Sequence, residues 1–287
     1  MVTNYQAELV GLFGKPVSEN PTGVMQEAAF AALGLNWRYI TVEVEPDNLA
    51  DAVIGARAFG LKGFNLTIPH KVAVMEYLDE LSIEAKIIGA VNTVRRDGTR
   101  LIGDNTDGKG FLRALTTDAG FDPVGKNAVM IGAGGAARAI GTELALAGLA
   151  RLHIVNRSRE RVEKVASHLE SNTNAKVSYE IWDGTYTVPD DTDVFINATS
   201  IGLYPDVDAM PPVDFSIAKK DMVVCDAVFN PAETKLLQYA NSFGLQTLDG
   251  LSMLVYQGVL GFEMWTGEEA PEAVMKEALQ QAMGDQS

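Results

Sequence analysis

The sequence predicts an α/β fold of two domains with mainly parallel sheets. Three observations predict it. Apolar runs of strand length recur along the chain, at 8–13, 37–44, 61–66 and 88–94, and again at 127–131, 151–155, 193–197 and 222–226. Helical periodicity fills many of the gaps, as with Leu49, Ala50, Ala52, Val53 and Ala56, or Ala136, Ala139, Ile140, Leu144 and Ala145. A glycine-rich turn at 132–135 then opens a fresh strand–helix series. Strands that alternate with helices pair in parallel, because each helical crossover returns the chain to the same end of the sheet.

The 287 residues, 47% of them hydrophobic and 21% charged, suffice for a large core and two domains. A formal net charge of −15 disfavours nucleic acid and anionic membranes as partners. An anionic ligand then needs a local cationic site, so Lys or Arg in glycine-rich places is informative. The one cysteine, Cys225, lies in an apolar run and is expected in the core, which excludes an internal disulfide framework. No apolar stretch approaches the ~18 residues of a bilayer span, and the N-terminus has no signal-peptide apolar region, so a cytoplasmic protein is expected. None of His70, His153 and His168 has cysteine or carboxylate neighbours at ligand spacing, so no metal is expected. His153 in a strand pattern and His168 in a polar helix read as structural.

The first strand run, Leu9 to Phe13, leads into Gly14-Lys15-Pro16-Val17-Ser18-Glu19-Asn20-Pro21-Thr22-Gly23 and then a helical pattern from Val24. Local chemistry reads this as a turn. The third run leaves through Asn65-Leu66-Thr67-Ile68-Pro69-His70-Lys71, where Pro69 suits the first turn of a helix and Asn65 and Thr67 share a face. A lysine in an opening helical turn opposes the helix dipole, so Lys71 is not there for helix stability. Ala90-Val91-Asn92-Thr93 is expected to end a strand. Gly103-Asp104-Asn105-Thr106-Asp107-Gly108 then turns into a helix over 107–120, with Asp107 as a candidate N-cap. A domain division follows near Asp104. Residues 1–104 and 247–287 are expected to form an N-terminal α/β substrate domain, 105–246 a dinucleotide-binding domain, with a deep cleft between them as the ligand site.

The second series begins with a strand at 127–131 and the turn Gly132-Ala133-Gly134-Gly135-Ala136-Ala137. This context, strand before and helix after, makes a Rossmann-type reading credible. Gly132 permits the tight turn, Gly134 lets the backbone approach a pyrophosphate, and Ala137 stands for the third small residue. The next strand ends in Asn156-Arg157-Ser158-Arg159-Glu160-Arg161. A free ribose 2′-hydroxyl usually meets an acidic residue there. Here Arg157, Ser158 and Arg161 instead suit a 2′-phosphate, which points to NADP rather than NAD.

Taken in order, Asn65 to Lys71, Ala90 to Thr93, Asn105-Thr106-Asp107, Gly132 to Ala136, Asn156-Arg157-Ser158, Asn197-Ala198-Thr199-Ser200-Ile201-Gly202, Met253 to Gly258 and Trp265-Thr266-Gly267 resemble the successive signatures of the shikimate dehydrogenase family. The match runs over nearly the whole chain. The resemblance implies reversible NADP-dependent hydride transfer between 3-dehydroshikimate and shikimate, with Lys71 and Asp107 as the catalytic pair. A cation and proton donor beside the carbonyl oxygen stabilises the charge that reduction places there. In reverse, a lysine of lowered pKa accepts the hydroxyl proton. The resemblance also implies substrate contacts from Asn65, Thr67, Asn92 and Gln257. It implies cofactor contacts from Gly132, Ala133, Gly134, Gly135, Ala136, Asn156, Arg157, Ser158, Arg161, Thr199, Ser200 and Gly250.

The chain departs from the family pattern where a Ser-x-Ser-Pro turn usually binds the substrate carboxylate. Asn20 and Thr22 fall on the two serines, Gly23 on the proline, and Glu19, Gln26 and Glu27 on common His, His and Asn positions. Phe229 stands where a substrate-binding tyrosine is frequent. Asn20, Thr22 and Phe229 are therefore candidate specificity residues, and a quinate/shikimate or aminoshikimate dehydrogenase is the alternative. A silent metabolite-binding homologue is opposed by the intact Lys71 and Asp107. A methylene-tetrahydrofolate type of two-domain dehydrogenase is opposed by the Asn-Thr-Asp and Gln-Gly motifs. The expected partners are a small-molecule substrate in a monomer or homodimer.

Overall fold

A computed structural model of the protein describes residues 5–284. The chain forms two compact units, Met1–Thr106 with Gln257–Ser287, and Asp107–Tyr256. The first unit begins with β1 (Glu8–Gly14), α1 (Thr22–Ala32), β2 (Trp37–Glu43), α2 (Leu49–Phe59) and β3 (Gly63–Leu66). Both βαβ crossovers bring the chain back parallel to β1, with Glu8 to Gly14 opposite Trp37 to Glu43 and Val10 to Phe13 opposite Gly63 to Leu66. α2 stops at Gly60, whose φ of 75° is the left-handed conformation that glycine adopts without a Cβ penalty.

β4 (Glu80–Leu81), α3 (Ile83–Ile88), β5 (Thr93–Asp97) and β6 (Arg100–Asp104) complete the sheet in the order β2-β1-β3-β5-β6-β4. This sheet is mixed rather than mainly parallel: β5 runs antiparallel to both β3 and β6. Asp97-Gly98 supplies the reason, because a tight hairpin with Gly98 at φ 60° reverses the chain without a crossover helix. The apolar run at 88–94 also differs from the expected strand. Ile88 ends α3, Gly89 caps it at φ 68°, and the strand starts only at Thr93. The core of this unit stacks Phe13 on Phe64 at 4.8 Å, among Val53, Leu61, Val74, Val91 and Leu101.

The second unit opens with α4 (Thr106–Thr117), β7 (Asn127–Ile131), α5 (Gly135–Leu146), β8 (Arg151–Asn156), α6 (Arg159–Asn172) and β9 (Lys176–Ile181). It continues with β10 (Tyr186–Thr187), β11 (Val194–Asn197), β12 (Val213–Asp214), β13 (Val223–Asp226), α7 (Lys235–Ser242) and β14 (Gln246–Leu248). Its main sheet is wholly parallel, in the order β14-β13-β11-β7-β8-β9. The winding reverses between β7 and β11, which is the point where such sheets bind dinucleotides. The central strands β11 and β13 are fully buried and read as continuous apolar runs for that reason, Val194-Phe195-Ile196 and Val223-Val224-Cys225.

The last two helices are α8 (Gly250–Thr266) and α9 (Glu272–Gly284), and α9 packs on α1. No helix among the described residues is long and apolar enough to cross a membrane.

Candidate active site

In the second unit the C-terminal end of β7 carries the glycine turn. Gly132 has φ 111°, and a Cβ there would stand 2.7 Å from the Ala198 carbonyl oxygen, so only glycine fits. Gly134 is the N-cap of α5 and caps it with no side chain. A Cβ on Gly134 or Gly135 would meet nothing within 4 Å. The first turn of α5 therefore offers open backbone N–H groups and a positive dipole end, the arrangement that binds a phosphate.

The next strand delivers the arginines. Asn156 donates from Nδ2 to the Ser158 carbonyl at 3.0 Å, and Ser158 Oγ accepts from Arg161 N as the N-cap of α6. Arg159 pairs with Glu163 one turn on, at 3.3 Å. Arg157 and Arg161 have no acidic partner among the described residues. Arg157 lines a cavity of about 330 Å³ with Trp182, Gly184, Thr185, Ile201 and Pro212. The buried Nε1 of Trp182 has no acceptor there among the described residues. Trp182 is the feature that sequence reasoning missed, since a lone tryptophan after a strand carries no motif.

The loop from Asn197 to Gly202 is tied down by a buried carboxylate. Asn197 Oδ1 accepts from Thr199 N at 3.1 Å and Thr199 Oγ1 at 2.7 Å, and Ile201 N donates to Thr199 Oγ1. Asn197 Nδ2 donates to Asp226 Oδ1 at 2.8 Å, while Asp226 also accepts from Val228 N and Thr234 Oγ1. Ser200 stays exposed at the tip, and Phe229 is half-buried just past Val228. Gly250 opens α8 against the Val228 carbonyl, where a Cβ would clash.

In the first unit, Asn20 Oδ1 accepts from Thr22 N at 3.0 Å and shapes the entry to α1. The Thr22 side chain is buried. Thr67 lies half-buried against Gly14, so two turns, 14–23 and 67–71, pack on one another; Lys15 N donates to the Ile68 carbonyl at 2.8 Å. Lys71 differs from the expected helical position: it is half-buried in a turn, and a short 3₁₀ helix follows only at Ala73–Tyr77. Its carbonyl accepts from Val91 N at 2.7 Å, which holds the lysine turn beside Asn92. His70 is buried with Nε2 2.8 Å from the Val44 carbonyl, so that nitrogen carries the proton.

Asn65 and Asn92 are both buried. Asn65 Oδ1 accepts from the Tyr39 hydroxyl at 2.8 Å, and its Nδ2 donates to Asn92 O and Thr93 Oγ1. Asn92 Oδ1 accepts from Thr106 N at 2.7 Å. Asp107 is not an N-cap, because α4 begins at Thr106 and places Asp107 inside the first turn. Gln257 is buried on α8 beside Gly258, whose carbonyl accepts from Gln26 Nε2 at 2.8 Å. Among the described residues there is no group of three His, Cys, Asp or Glu that could hold a metal ion.

Three family models match the chain. One described as "Shikimate dehydrogenase substrate binding domain" covers residues 12–94, one described as "Shikimate / quinate 5-dehydrogenase" covers 117–204, and one described as "Shikimate 5'-dehydrogenase C-terminal domain" covers 250–280. A shikimate dehydrogenase (NADP(+)) of Desulforamulus reducens is 45% identical over 280 residues, 96% of each chain. A solved 5-ketofructose reductase of Gluconobacter sp. strain CHM43, in its ligand-free form, is 46% identical with a TM-score of 0.93, covering 97% of this chain and 99% of that one. A solved shikimate dehydrogenase in complex with NADP+ is 41% identical with a TM-score of 0.87, covering 98% of both chains.

Proposed function

The chain belongs to the shikimate dehydrogenase family, and on that premise we propose that it catalyses reversible NADP-dependent hydride transfer between 3-dehydroshikimate and shikimate, with Lys71 and Asp107 as its catalytic pair. The observation that carries the cofactor reading is the pair Arg157 and Arg161. Among the described residues neither has an acidic partner, in a chain of net charge −15, and they follow the strand next to the open turn of α5. The residues fit NADP: the α5 N-terminus suits the pyrophosphate, Arg157 with Arg161 the 2′-phosphate, and the cavity beside Trp182 the adenine ring. We assign Thr199, Ser200 and Gly250 to the rest of the cofactor on the family resemblance.

NADP, when bound, supplies or takes the hydride. Lys71 then holds its ammonium against the substrate oxygen, stabilises the developing negative charge and gives it a proton as the carbonyl is reduced. Asp107 accepts a hydrogen bond from the reacting hydroxyl and orients it toward Lys71. Thr67, Asn92 and Gln257 bind the ring hydroxyls, and Asn20 with Thr22 binds the far end of the substrate. Lys71→Ala should lower kcat by about 10²–10⁴-fold, the usual scale of general acid–base catalysis. Shikimate binding measured by calorimetry should persist. An unchanged kcat would remove Lys71 from this role.

A second reading has a specific observation in its favour. The expected serine hydroxyls are replaced by Asn20 and Thr22, and Glu19 adds negative charge to a turn that would have to hold a carboxylate. The likeness to the 5-ketofructose reductase then suggests a polyhydroxylated ketone without a carboxylate as substrate. NADPH oxidation with 5-ketofructose against 3-dehydroshikimate separates the two readings. We place the enzyme in the cytoplasm as a monomer or homodimer, which light scattering would resolve.

A further inference from the structure

The Tyr39 hydroxyl lies at the head of a buried chain of hydrogen bonds that no motif marks. Asn65 Oδ1 can only accept, so the Tyr39 hydroxyl 2.8 Å away must donate. That fixes the Asn65 amide, which turns Nδ2 toward Thr93 Oγ1 at 3.0 Å and Asn92 O at 3.2 Å. The Thr93 hydroxyl, which accepts from Asn65, shares a hydrogen bond with Thr106 Oγ1, 3.0 Å away. Thr106 in turn donates its N–H to Asn92 Oδ1 at 2.7 Å, and its hydroxyl meets the Asn92 amide, Nδ2 at 3.1 Å and Oδ1 at 3.2 Å. Thr93 and Thr106 are completely buried and Asn92 nearly so, and water does not compete for these bonds. The chain of hydrogen bonds passes through Thr106, the residue before Asp107, and closes on the Asn92 amide.

The surroundings of Tyr39 point the same way. Glu27 accepts from Tyr39 N, and a Cβ at Gly23 would come within 3.2 Å of Tyr39 Cδ1. Gly23 and Glu27 are two of the positions where the chain departs from its family's usual Pro and Asn. The departures in α1 therefore lie against the residue that heads the network. Burial also pushes the Tyr39 pKa far up, which keeps its hydroxyl a donor.

We infer that Tyr39 is a positioning residue: through Asn65, Thr93 and Thr106 it sets the amide orientations at the Asn92 turn and the entry of the chain into Asp107. The inference rests on the catalytic reading of Asp107 given above. It is tested by steady-state oxidation of shikimate with NADP+ for wild type, Y39F, T93V, T93S and Y39F/T93V, each assayed well below its melting midpoint. Y39F and T93V should each lose tenfold or more in kcat with KM changed less than threefold. The double variant should lose no more than the worse single, because a chain broken once is broken, and T93S should stay within threefold of wild type. A Y39F enzyme that keeps kcat within twofold overturns the inference even if its melting midpoint falls. So does a double variant whose loss equals the product of the singles. A wild type inactive on shikimate would instead remove the catalytic reading. The positioning claim is then decided by the Asn65 side-chain amide resonances, shifted and faster-exchanging in Y39F if it holds, and unchanged if it does not.

Discussion

Three arginines within five positions look alike in the sequence, but their neighbours separate them. Arg159 is an exposed partner of Glu163, a pair of small energetic weight. Arg157 and Arg161 have no acidic partner among the described residues, and we propose that they meet the 2′-phosphate. Charge-assisted hydrogen bonds contribute about 1.5–3 kcal/mol each, so Arg157→Ala should raise KM for NADP+ roughly 10- to 100-fold and leave KM for NAD+ nearly unchanged. Equal effects on both cofactors would detach Arg157 from the 2′-phosphate. Cys225 shows the opposite case, a reactive residue type made inert. It is completely buried, and burial pushes its thiol pKa well up, so the thiolate scarcely forms near neutrality. A thiol-specific disulfide reagent should label it only in denaturant; rapid labelling of the native protein would contradict this. Sequence showed the residue types at these positions. It did not show direction: Ser158 turns out to cap α6, and the amide of Asn65 points into the network rather than being fully open, since side-chain orientation depends on partners far away in the chain.

At the level of elements, Asp226 at the end of β13 joins the Asn197 loop, the Val228 turn and the cap of α7 through Thr234. Burial pushes its carboxyl up to about 6, and the three donors pull against that without cancelling it. The folded state then holds the proton more tightly than the unfolded chain, whose carboxyl titrates near 3.8. The contribution of this proton is complete below about pH 3.8 and is lost as pH rises to about 6, roughly 3 kcal/mol at 1.4 kcal/mol per unit. Urea titrations of wild type and Asp226→Asn between pH 4 and 6.5 should therefore diverge, with wild type losing ground against the variant as pH rises. Parallel curves would show that Asp226 titrates at its ordinary value. Most elements were legible because their period was clean, as in α5 and β11. The misread ones have local causes: the run at 88–94 is apolar across a helix end, and Gly89 marks that end more reliably than hydrophobicity does.

Across the whole molecule, the parallel sheet of the second unit was legible because helical crossovers separate β7, β8 and β9 and its buried strands β11 and β13 are continuous apolar runs. The mixed sheet of the first was not, because the β5–β6 hairpin gives only the short signal Asp97-Gly98. The glycine turn was legible because backbone geometry forces the residue type, as at Gly132, whereas Lys71 and Asp107 are proposed from motif order alone. The placements of Tyr39 and Trp182 were invisible, since they arise from packing between elements rather than from spacing along one. The central claim is NADP-linked oxidation and reduction of shikimate by the Lys71 and Asp107 pair. Initial rates of NADP+ and NAD+ reduction with shikimate test it most directly. The account predicts turnover with kcat/KM at least about tenfold higher for NADP+, the factor that one lost charge-assisted contact implies. No reduction of NADP+ in the presence of shikimate, or an equal rate with NAD+, would contradict it.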